Sequence, residues 1–521
     1  FTNAAATEMR ERIADAISGI LEKNPDSKNI QRQLTLLSKA SITTIHSFCL
    51  EVIRSNFQLI DIDPDFRIAD ETEIVLMKLE VLDELFEEQY EKEGGNEDFF
   101  ELLECYGGNR DDRLLMDMVL NIHNFIQSSP WPENWLNDMV EKFNLPEGTD
   151  FSETVYGKVL INSVKLEVEG FKEMMAEAVE VLKYAEGLEK YLPVFLEDLS
   201  NLEGLLNSMP SHSWDALFNL FQNIEFKRLP NAAKNADKEK QEHVKKIRDE
   251  IKKGISRIKE RIFYSDSAGI AEELKTLYPI MKCLANIVIE FGRRYAEKKN
   301  RKSLVDFNDL EHFCLDILSV QDNEGQIRPS EIALKYKERF EEILVDEYQD
   351  SNLVQEIIIN MISRGDRGKP NVFMVGDVKQ SIYRFRQAKP ELFLEKYNSY
   401  SLEKGALFRK ILLFKNFRSR KEVVDAVNFI FKQIMSPNVG ELDYTDEEAL
   451  NPGAVFEEIT NDEYKAGGEA ELHLIQSGGE AGAGFQAENN EEDSQDSPEQ
   501  HEEGQSQEDG ADTGEITDNM Q

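Results

Sequence analysis

Apolar residues recur three or four positions apart through most of the first three hundred residues, which is the spacing of a helix with one buried face. We expect a first helix from about Ala5 to Leu21. Its apolar face carries Met9, Ile13, Ala16, Ile17 and Ile20. From about Asp70 to Asn300 the pattern predicts helices almost throughout. The clearest stripe consists of Val244, Ile247, Ile251, Ile255, Ile258 and Ile262.

Short continuous apolar runs replace this spacing after residue 300. Ile343–Val345, Val372–Val375 and Ile411–Phe414 each end in polar residues and lead into a helical pattern. Runs without alternation predict strands that are buried on both faces, as in a parallel sheet covered by helices. A further β-branched strand is expected at Ser41–Ile45, with His46 opening the next helix. The sequence therefore predicts an α/β domain interrupted by a helical block of more than two hundred residues.

Charge is distributed unevenly along the chain. The sequence has 60 Lys and Arg against 101 Asp and Glu, a net charge of −41. Fourteen of the acidic residues, and no Lys or Arg, lie between Ser477 and Gln521, in a stretch that we expect to be disordered. Lys227–Arg261 reverses the sign, with thirteen basic and six acidic residues. The whole-chain charge, which by itself disfavours nucleic-acid binding, is therefore a poor guide to any single groove.

The rest of the composition excludes several classes of protein. The four cysteines are far apart and form no CxxC pair, which argues against a disulfide scaffold, a zinc ribbon or a local iron–sulfur motif. No apolar run approaches the ~18–20 residues needed to cross a bilayer, so we expect no membrane partner. The cysteine usage suits a reducing cytosol.

Asp346 and Glu347 follow directly after the apolar run Ile343–Val345. Two adjacent carboxylates at the end of a buried strand suit Mg²⁺–nucleotide chemistry, in which one holds the hydrated metal and the other orients or deprotonates the attacking water. The alternative is a solvated acidic turn, which a bare Asp-Glu pair would favour.

A second polar stretch, Gly376–Lys389, comes about thirty residues later. Gln380, just beyond a strand end, can sense a terminal phosphate by hydrogen bonding. Tyr383 and Phe385 can stack on bases, with cations beside them, as single-stranded nucleic acid binding requires. The alternative is the start of an amphipathic helix whose aromatic side chains pack in a core. The cations are Arg384, Arg386 and Lys389.

Six stretches of the chain resemble motifs Ia, Ic, Id, II, III and IV of the UvrD/RecB class of superfamily 1 helicases, in the same order. They are Phe1–Arg10, Thr44–Phe48, Asp306–Leu310, Asp346–Asp350, Gly376–Arg386 and Asn416–Ser419. Within that class the chain is most similar to the A subunits of bacterial ATP-dependent helicase/nucleases (AddA). Plain UvrD proteins would be expected to carry an acidic residue near Lys379 and Trp at the position of Phe385.

This resemblance implies a site for ATP and Mg²⁺. Asp346 would coordinate Mg²⁺ together with Glu347, which would also activate water. Gln380 would couple the γ-phosphate to the DNA site. Arg418 would act as an arginine finger, and Phe417 would stack on the adenine.

The resemblance also implies a track for single-stranded DNA, with duplex DNA ahead of it. Thr2, Asn3, Thr44 and His46 would line this track, and the alternative for His46 alone is a satisfied core histidine. The base-stacking side would carry Tyr383, Arg384, Phe385 and Arg386. The basic stretch Lys227–Arg261 is a candidate duplex contact, although a solvated basic helix face explains it equally well.

The implied fold is α/β, a partial RecA-like parallel-sheet domain interrupted by a large all-α insertion, followed by the start of a second RecA-like domain and a disordered acidic tail. The expected boundaries are 1–69 and 301–410 for the two parts of the first RecA-like domain (1A), 70–300 for the helical insertion (1B-like), 411–470 for the start of the second domain, and 471–521 for the tail.

The chain departs from the resembled pattern in one important respect. It has no G-x-x-x-x-G-K-[ST] loop, and Gly365–Lys369, a superficial echo, is followed by Pro370. In the resembled family that loop precedes the first motif, and the later motifs and the nuclease follow the last one. We therefore expect a fragment that does not hydrolyse ATP efficiently by itself.

The leading hypothesis is an ATP-dependent helicase subunit of a helicase–nuclease complex that processes double-strand breaks in the bacterial cytoplasm at the nucleoid, paired with a B subunit. A UvrD-like repair helicase without nuclease and a non-catalytic DNA-binding subunit remain open alternatives. An acidic histone-like or DNA-mimic protein would explain only the tail.

Overall fold

A computed structural model describes residues 3–92, 96–108, 112–209, 212–322, 325–456, 459–461, 464–466 and 470–473. These residues are mostly helical. The helices are α1 (Asn3–Lys23), α2 (Lys28–Leu37), α3 (Ile45–Asn56), α4 (Glu71–Glu91), α5 (Glu97–Tyr106), α6 (Arg113–Ile126), α7 (Pro132–Glu141), α8 (Val155–Lys183), α9 (Leu192–Ser208), α10 (Trp214–Asn223), α11 (Lys238–Arg261), α12 (Ser267–Arg301), α13 (Phe307–Leu318), α14 (Glu331–Arg339), α15 (Leu353–Ile362), α16 (Pro390–Ser399), α17 (Lys421–Ile434) and α18 (Pro437–Gly440).

The strands are short and pair two by two. They are β1 (Arg67–Ile68), β2 (Leu304–Val305), β3 (Ser319–Gln321), β4 (Ile327–Pro329), β5 (Ile343–Val345), β6 (Val372–Met374), β7 (Lys415–Asn416), β8 (Asn451–Pro452), β9 (Ile459–Asn461) and β10 (Tyr464–Ala466). The pairs β1–β2 and β5–β6 are parallel, whereas β3–β4 and β9–β10 are antiparallel. The described residues fall into two compact units, one within 1–415 and 428–451 and the other within 416–427 and 452–521.

The predicted helical block is confirmed, and both of its ends meet at one place in the first unit. Arg67 pairs with Leu304 and Ile68 with Val305, so the helices α4–α12 leave and return through two adjacent parallel strands. Side-chain caps fix several helix starts, since Asp70 accepts from the Glu73 backbone N–H and Thr154 and Asp266 do the same for α8 and α12.

Three buried clusters form the core of the first unit. One joins α8–α11 to the start of α12, a second joins α4–α7 to the later part of α12, and a third is built by α3, α13, α14 and α15. The predicted stripe on α11 is confirmed, because its residues from Val244 to Ile258 are buried in the first cluster. The 35-residue α12 contributes to two clusters, Ile270 to the first and Ile280–Tyr295 to the second.

The prediction of fully buried strands is wrong for the described residues. β5 and β6 are present where expected, but Leu344 is 71% exposed and Phe373 51% exposed. Successive residues of a strand point to opposite faces, and the helices of the third cluster cover only the face to which Ile343 belongs.

Two predicted strands and one predicted buried face are also wrong. Residues 41–44 form an extended lead into α3, because Thr44 serves as its N-cap, and Ile411–Phe414 precedes the strand β7 instead of forming it. The helix α1 is confirmed, but it buries no residue, and Met9 and Ile20 are 43% and 49% exposed. In these segments β-branched and apolar composition suggested burial that no described element supplies.

No helix among the described residues is both long enough and apolar enough to span a bilayer.

The buried ion pair between Arg248 and Asp198 ties α11 to α9. Arg248 Nε donates to Asp198 Oδ2 at 2.6 Å and its Nη2 to the Lys227 carbonyl at 2.8 Å, and both side chains are almost fully buried. The guanidinium also lies over the Phe195 and Phe226 rings. Arg248 is therefore not available as a duplex contact, although it belongs to the basic stretch.

Replacing Arg248 by Ala should destabilise the fold by about 3–5 kcal/mol, because it leaves the Asp198 carboxylate buried and unpaired. The free energy of unfolding from denaturant titration measures the loss. The double variant Arg248→Met with Asp198→Leu should recover most of it, since both charges are removed together. A loss below about 1 kcal/mol in the single variant would show that the pair is not structural.

His123 of α6 should make the stability of the fold pH-dependent. The side chain is buried edge-on against the Phe291 ring at 4.9 Å, and its Nδ1 has no hydrogen-bond partner among the described residues. Burial, reinforced by the Lys78 and Lys299 ammonium groups, lowers the pKa of His123 to about 3. The unfolded chain takes up this proton near pH 6.5, so stability is complete above that pH and is lost as the pH falls.

From this group alone we expect a loss of about 2 kcal/mol between pH 7 and pH 5. The variant His123→Gln should lose less stability over the same range than the unsubstituted chain, as measured by denaturant titration at both values. Replacing the exposed His243 by Gln is the matched control and should leave the pH dependence unchanged. Equal slopes for the His123 variant and the unsubstituted chain would contradict the prediction.

Candidate functional site

The carboxyl ends of β5 and β6 bring two of the predicted site segments to the same edge of the sheet. The parallel register pairs Val345 with Met374, so Asp346 follows one strand where Val375 follows the other. Asp346 and Glu347 are both exposed, and the Glu347 backbone N–H donates to Asp346 Oδ1 at 3.1 Å. Glu347 has φ 50° and ψ 43°, a left-handed conformation that is strained for a residue other than glycine. This left-handed conformation turns the chain at the second of the two carboxylates.

Gln349 links the acidic pair to the second strand end. This side chain is 1% exposed, its Nε2 donates to Glu347 Oε2 at 2.8 Å, and its Oε1 accepts from the Asp377 backbone N–H at 3.1 Å. A Cβ at Gly376 would lie 2.5 Å from Gln349 Oε1, so only glycine permits this close approach. The arrangement holds Glu347 and the segment after β6 in fixed register.

Gln380 lies beside this link. Its Nε2 donates to Asp377 Oδ2 at 3.0 Å, while Lys379 Nζ contacts Asp377 Oδ1 at 2.8 Å. The Gln380 side chain is exposed, and its amide oxygen accepts no hydrogen bond from the described residues. Asp346, Glu347 and Gln380 are thus brought to one surface through Gln349 and Asp377.

The residues at this edge fit Mg²⁺. Magnesium in phosphate-binding sites takes one or two carboxylates and completes its octahedral shell with water and phosphate oxygens. Asp346 and Glu347 supply hard oxygen donors of that kind, and neither forms an ion pair with a cation in the described part of the chain.

Asp350 stands behind the acidic pair. Burial, followed by the charge of Glu347, raises the pKa of Asp350, and its Oδ1 has no hydrogen-bond partner among the described residues. Tyr348, on the same short turn, donates its hydroxyl to Glu356, which also accepts from Lys396 Nζ at 2.7 Å. These buried contacts anchor the turn to α15 and α16.

Phe417 and Arg418 belong to the second unit. There the Asn416 side chain accepts from the Arg418 and Ser419 backbone N–H groups at 2.9 and 2.8 Å, which forms a tight turn. The Phe417 ring is 64% exposed and lies against Gly453, where a Cβ would approach it to 2.8 Å. Arg418 is exposed on the same turn.

The aromatic pair after β6 is on the surface and not in a core. The ring centroids of Tyr383 and Phe385 are 5.9 Å apart, and Phe385 is 72% exposed. The Arg386 guanidinium lies 5.0 Å from the Tyr383 ring and 5.6 Å from the Phe385 ring. We call these three residues the aromatic cluster. It offers flat faces and one cation, which is what stacking on bases requires.

Arg384 differs from its neighbours. It forms ion pairs with Glu391, at 2.6 Å, and with Glu441. These carboxylates would compete with a phosphate for the Arg384 guanidinium, which is therefore less available to an anionic ligand than the guanidinium of Arg386.

Two of the predicted track residues are joined although they are far apart in the sequence. Ser47 Oγ lies 3.4 Å from Asn3 Oδ1 and 2.9 Å from Thr44 Oγ1, and Thr44 also accepts from the Ser47 backbone N–H as the N-cap of α3. Asn3 and Thr44 therefore lie on one surface at the start of two helices. Thr2 lies outside the described residues.

His46 is half-buried and paired with a buried carboxylate. Its Nε2 lies 3.2 Å from Glu311 Oε1, and its ring meets Phe307 edge-on at 5.2 Å. Glu311 also accepts from Asn352 and Gln355 at 3.0 and 2.7 Å. Burial raises the pKa of Glu311, but these hydrogen bonds, that of His46 first, outweigh it and lower the pKa overall. His46 thus connects the Asn3–Thr44 surface to the start of α15.

A cleft of about 550 Å³ lies between α6 and the aromatic cluster. From α6 and its end come Asn121, Asn124, Phe125, Gln127 and Ser128, and from the other side Asn308, Asn352, Phe385, Arg386 and Gln387. An apolar cavity of about 380 Å³ lies among α6, α7 and α12 and shares Asn121 and Phe125 with this cleft.

Sequence reasoning missed three features of this surface. Gln349 lies within the recognised motif Asp346–Asp350, but a glutamine gives no signal of burial. Glu311 could have been suspected, because a carboxylate on the buried face of a helix needs partners. The contribution of α6 to the cleft gave no signal, since Asn121 and Phe385 are 264 positions apart.

Comparison with known proteins shows the family to which the chain belongs. Residues 1–401, which are more than half of the chain, match the UvrD/REP helicase N-terminal domain. The chain belongs to the UvrD/REP helicase family. The recognition of this class from the six motifs is confirmed. The predicted site residues of the first unit all lie within the matched range, and all of them except Thr2 are among the described residues.

Several curated relatives share half or more of their aligned residues with this chain. They carry the name of the A subunit of an ATP-dependent helicase/nuclease, and they are 67% identical in Acetivibrio thermocellus, 62% in Ruminiclostridium cellulolyticum and 50% in Clostridium acetobutylicum. Each alignment covers 91% of this chain and 38% of the relative. The UvrD/REP helicase chain described here thus spans less than half the length of the curated relatives that it matches.

Proposed function

We propose that this chain is part of an ATP-dependent DNA helicase or translocase, the A subunit of a helicase–nuclease complex that processes double-strand breaks for recombinational repair. One observation carries the proposal. Through Gln349 and Asp377, Asp346 and Glu347 are held in register with Gln380, at the carboxyl ends of two parallel strands where α/β proteins bind ligands. The names of the curated relatives support the same function.

In the ATP site, each of the required roles falls to a residue of suitable chemistry. Mg²⁺ bound with ATP would neutralise developing charge on the phosphates. Asp346 and Glu347 would hold it, and Glu347 would accept a proton from the attacking water. Gln380 Nε2 donates one N–H group to Asp377, and its second N–H group could donate to an oxygen of the terminal phosphate.

We place Phe417 on the adenine and Arg418 on the transferring phosphoryl group. Both are exposed on the turn that Asn416 organises, so neither has to leave a core to reach a ligand. Closure of this turn on the nucleotide would make hydrolysis depend on the position of a second RecA-like domain.

The aromatic cluster would hold bases of a single strand. Arg386 would supply the cation beside Tyr383 and Phe385, while Thr2, Asn3, Thr44 and His46 would line the track upstream and Arg384 would play a secondary part. Asp377 joins the ATP-side residue Gln380 to the same short segment, so a change at the γ-phosphate would be passed to the bases over a few residues.

We further propose the domain arrangement that the sequence suggests. Residues 1–69 and 301–410 would form a RecA-like domain, 70–300 a 1B-like insertion, and 411–470 the start of a second RecA-like domain, with an acidic tail at 471–521. The exposed basic residues of 227–261 would meet duplex DNA. A helicase/nuclease B subunit would be the partner, exonuclease activity would reside in the complete complex, and the complex would act in the cytoplasm at the nucleoid.

The complete gene product tests this function on a forked DNA substrate. We expect ATP turnover that single-stranded DNA stimulates, together with ATP-dependent strand separation. Degradation of duplex ends in the presence of the B subunit is expected as well. Unwinding without degradation would favour a UvrD-like repair helicase, and DNA binding without any ATP turnover would favour a non-catalytic subunit.

A further inference from the structure

Glu311 of α13 is a buried carboxylate that joins two separate parts of the proposed helicase site. Its side chain is almost fully enclosed, and Leu310, Cys314 and Leu315 are buried on the same helix. An apolar side chain of similar volume is often equally stable at such a position, because a buried charge costs desolvation free energy. Packing of the fold therefore does not by itself explain a carboxylate here.

Three donors among the described residues hold this carboxylate, and they come from two different helices. Glu311 Oε1 lies 3.2 Å from His46 Nε2 of α3 and accepts from Gln355 Nε2 of α15 at 2.7 Å. Its Oε2 accepts from Asn352 Nδ2 at 3.0 Å, at the N-cap of α15. Burial raises the pKa of Glu311, but these hydrogen bonds outweigh it, so the carboxylate stays charged and depends on its donors.

The start of α15 lies directly behind the acidic motif. Asn352 accepts from the Gln355 backbone N–H at 2.8 Å, and this cap begins the helix just after Asp350. The Ser351 carbonyl accepts from the Lys389 backbone N–H at 2.9 Å, at the end of the segment that follows β6. A displacement of Asn352 would therefore move both segments that form the proposed ATP site.

His46, at the other end of these contacts, is accessible to a ligand. Its side chain is 38% exposed, and its ring meets the exposed Phe307 edge-on at 5.2 Å. A phosphate or a base that drew His46 toward itself would take a donor from Glu311. The buried charge would then have to be compensated by the donors of α15.

We propose that Glu311 is a positioning residue that couples the DNA track to the ATP site, by holding His46 on one side and Asn352 on the other. The inference rests on the proposed function and adds a second connection to it, which passes through neither Gln380 nor the aromatic cluster. Glu311 touches neither DNA nor nucleotide. It makes the position of the acidic motif depend on whether DNA engages His46.

The coupling is the ratio of two affinities of the complete gene product for a single-stranded oligonucleotide, one with and one without Mg²⁺ and a non-hydrolysable ATP analogue. In Glu311→Gln, which keeps the size and removes the charge, this ratio should move toward one by about 3- to 30-fold, the range for residues that transmit coupling. A residue that only supports the fold would change both affinities together and leave their ratio unaltered. By linkage, the effect of DNA on the affinity for the analogue should change by the same factor.

The variant Asn352→Ser tests the α15 side of the connection. Serine is also a good N-cap, so α15 should stay folded, but its shorter side chain no longer donates to Glu311. The ratio should again move toward one. Combining Asn352→Ser with Glu311→Gln should add little to either change, because both variants interrupt the same connection.

Two control variants should leave the ratio unchanged. Glu331→Gln makes the same chemical change at an exposed position in the first turn of α14. Ile317→Val removes a methyl group from the buried face of α13 and should lower the melting temperature without touching the carboxylate.

The outcomes distinguish this inference from the function on which it rests. Failure to bind either DNA or the analogue would overturn both. Binding of both ligands with a ratio of one in the unsubstituted protein, or a ratio that Asn352→Ser and Glu311→Gln leave unchanged, would overturn the coupling role of Glu311 alone. An equal change of the ratio in Ile317→Val would also overturn it, since the effect would then follow the stability of α13. If Glu311→Gln does not fold, the Asn352 variant decides.

Discussion

Replacing Arg418 by Ala should lower DNA-stimulated ATP turnover by about 10³- to 10⁵-fold, the range measured for arginine fingers in other phosphoryl-transfer enzymes. A guanidinium that meets charge only in the transition state contributes to turnover and little to nucleotide affinity. The affinity for a fluorescent ATP analogue should therefore change far less than the turnover number.

The control for Arg418 is Arg409→Ala, which removes an exposed arginine outside the proposed site. Its turnover should match that of the unsubstituted protein. Replacement of Arg418 by Lys should rescue only part of the activity, because an ammonium group cannot reproduce the planar, two-pronged contact with a phosphoryl group. If the Ala variant lost less than tenfold in turnover, the assignment of Arg418 would be wrong.

Replacing Glu347 by Gln should lower turnover by about 10²- to 10⁴-fold, the usual contribution of a positioned general base. The amide keeps the size of the side chain and can still contact Gln349, so the turn at φ 50° should be preserved. ATP binding in the presence of Mg²⁺ should persist, and the variant should remain bound to DNA in the ATP state. Single-turnover measurements with ATP distinguish slow chemistry from slow release of product.

A matched control for Glu347 lies at the other end of the same strand. Glu342 is exposed just before β5, and Glu342→Gln makes the same chemical change without touching the strand end. Its turnover should be unaltered. Equal turnover in the Glu347 and Glu342 variants would exclude Glu347 as the base and favour the solvated acidic turn that a bare Asp-Glu pair suggests.

The sequence predicted those elements whose chemistry is local. β5 and β6 were predicted from uninterrupted apolar runs, and the helical block from spacing alone, and both are confirmed. A parallel pair then places Asp346 and Asp377 at one edge, because parallel strands end on the same side of a sheet. Thr44 was expected in a strand, but its hydroxyl caps α3, and capping by threonine competes with β structure.

Long-range contacts were beyond sequence reasoning. The pairing of His46 with Glu311 joins α3 to α13, and nothing in either helix pattern specifies which faces meet. Burial of Arg248 was also unexpected, since charged residues on a helix usually face water and this one is matched by Asp198 from α9. The exposed faces of β5 and β6 show a second limit of sequence reasoning. An apolar run indicates which residues prefer burial, but it does not indicate which element, if any, covers them.

The central claim is that Asp346, Gln380 and Arg418 act on one triphosphate. An experimental structure of the complete gene product with Mg²⁺ and a non-hydrolysable ATP analogue tests it most directly. We expect the terminal phosphate at the carboxyl ends of β5 and β6, with Asp346 on the metal side and with Gln380 and Arg418 in hydrogen-bonding contact with the phosphate oxygens. A nucleotide bound elsewhere, or Arg418 directed away from the bound phosphate, would contradict the account.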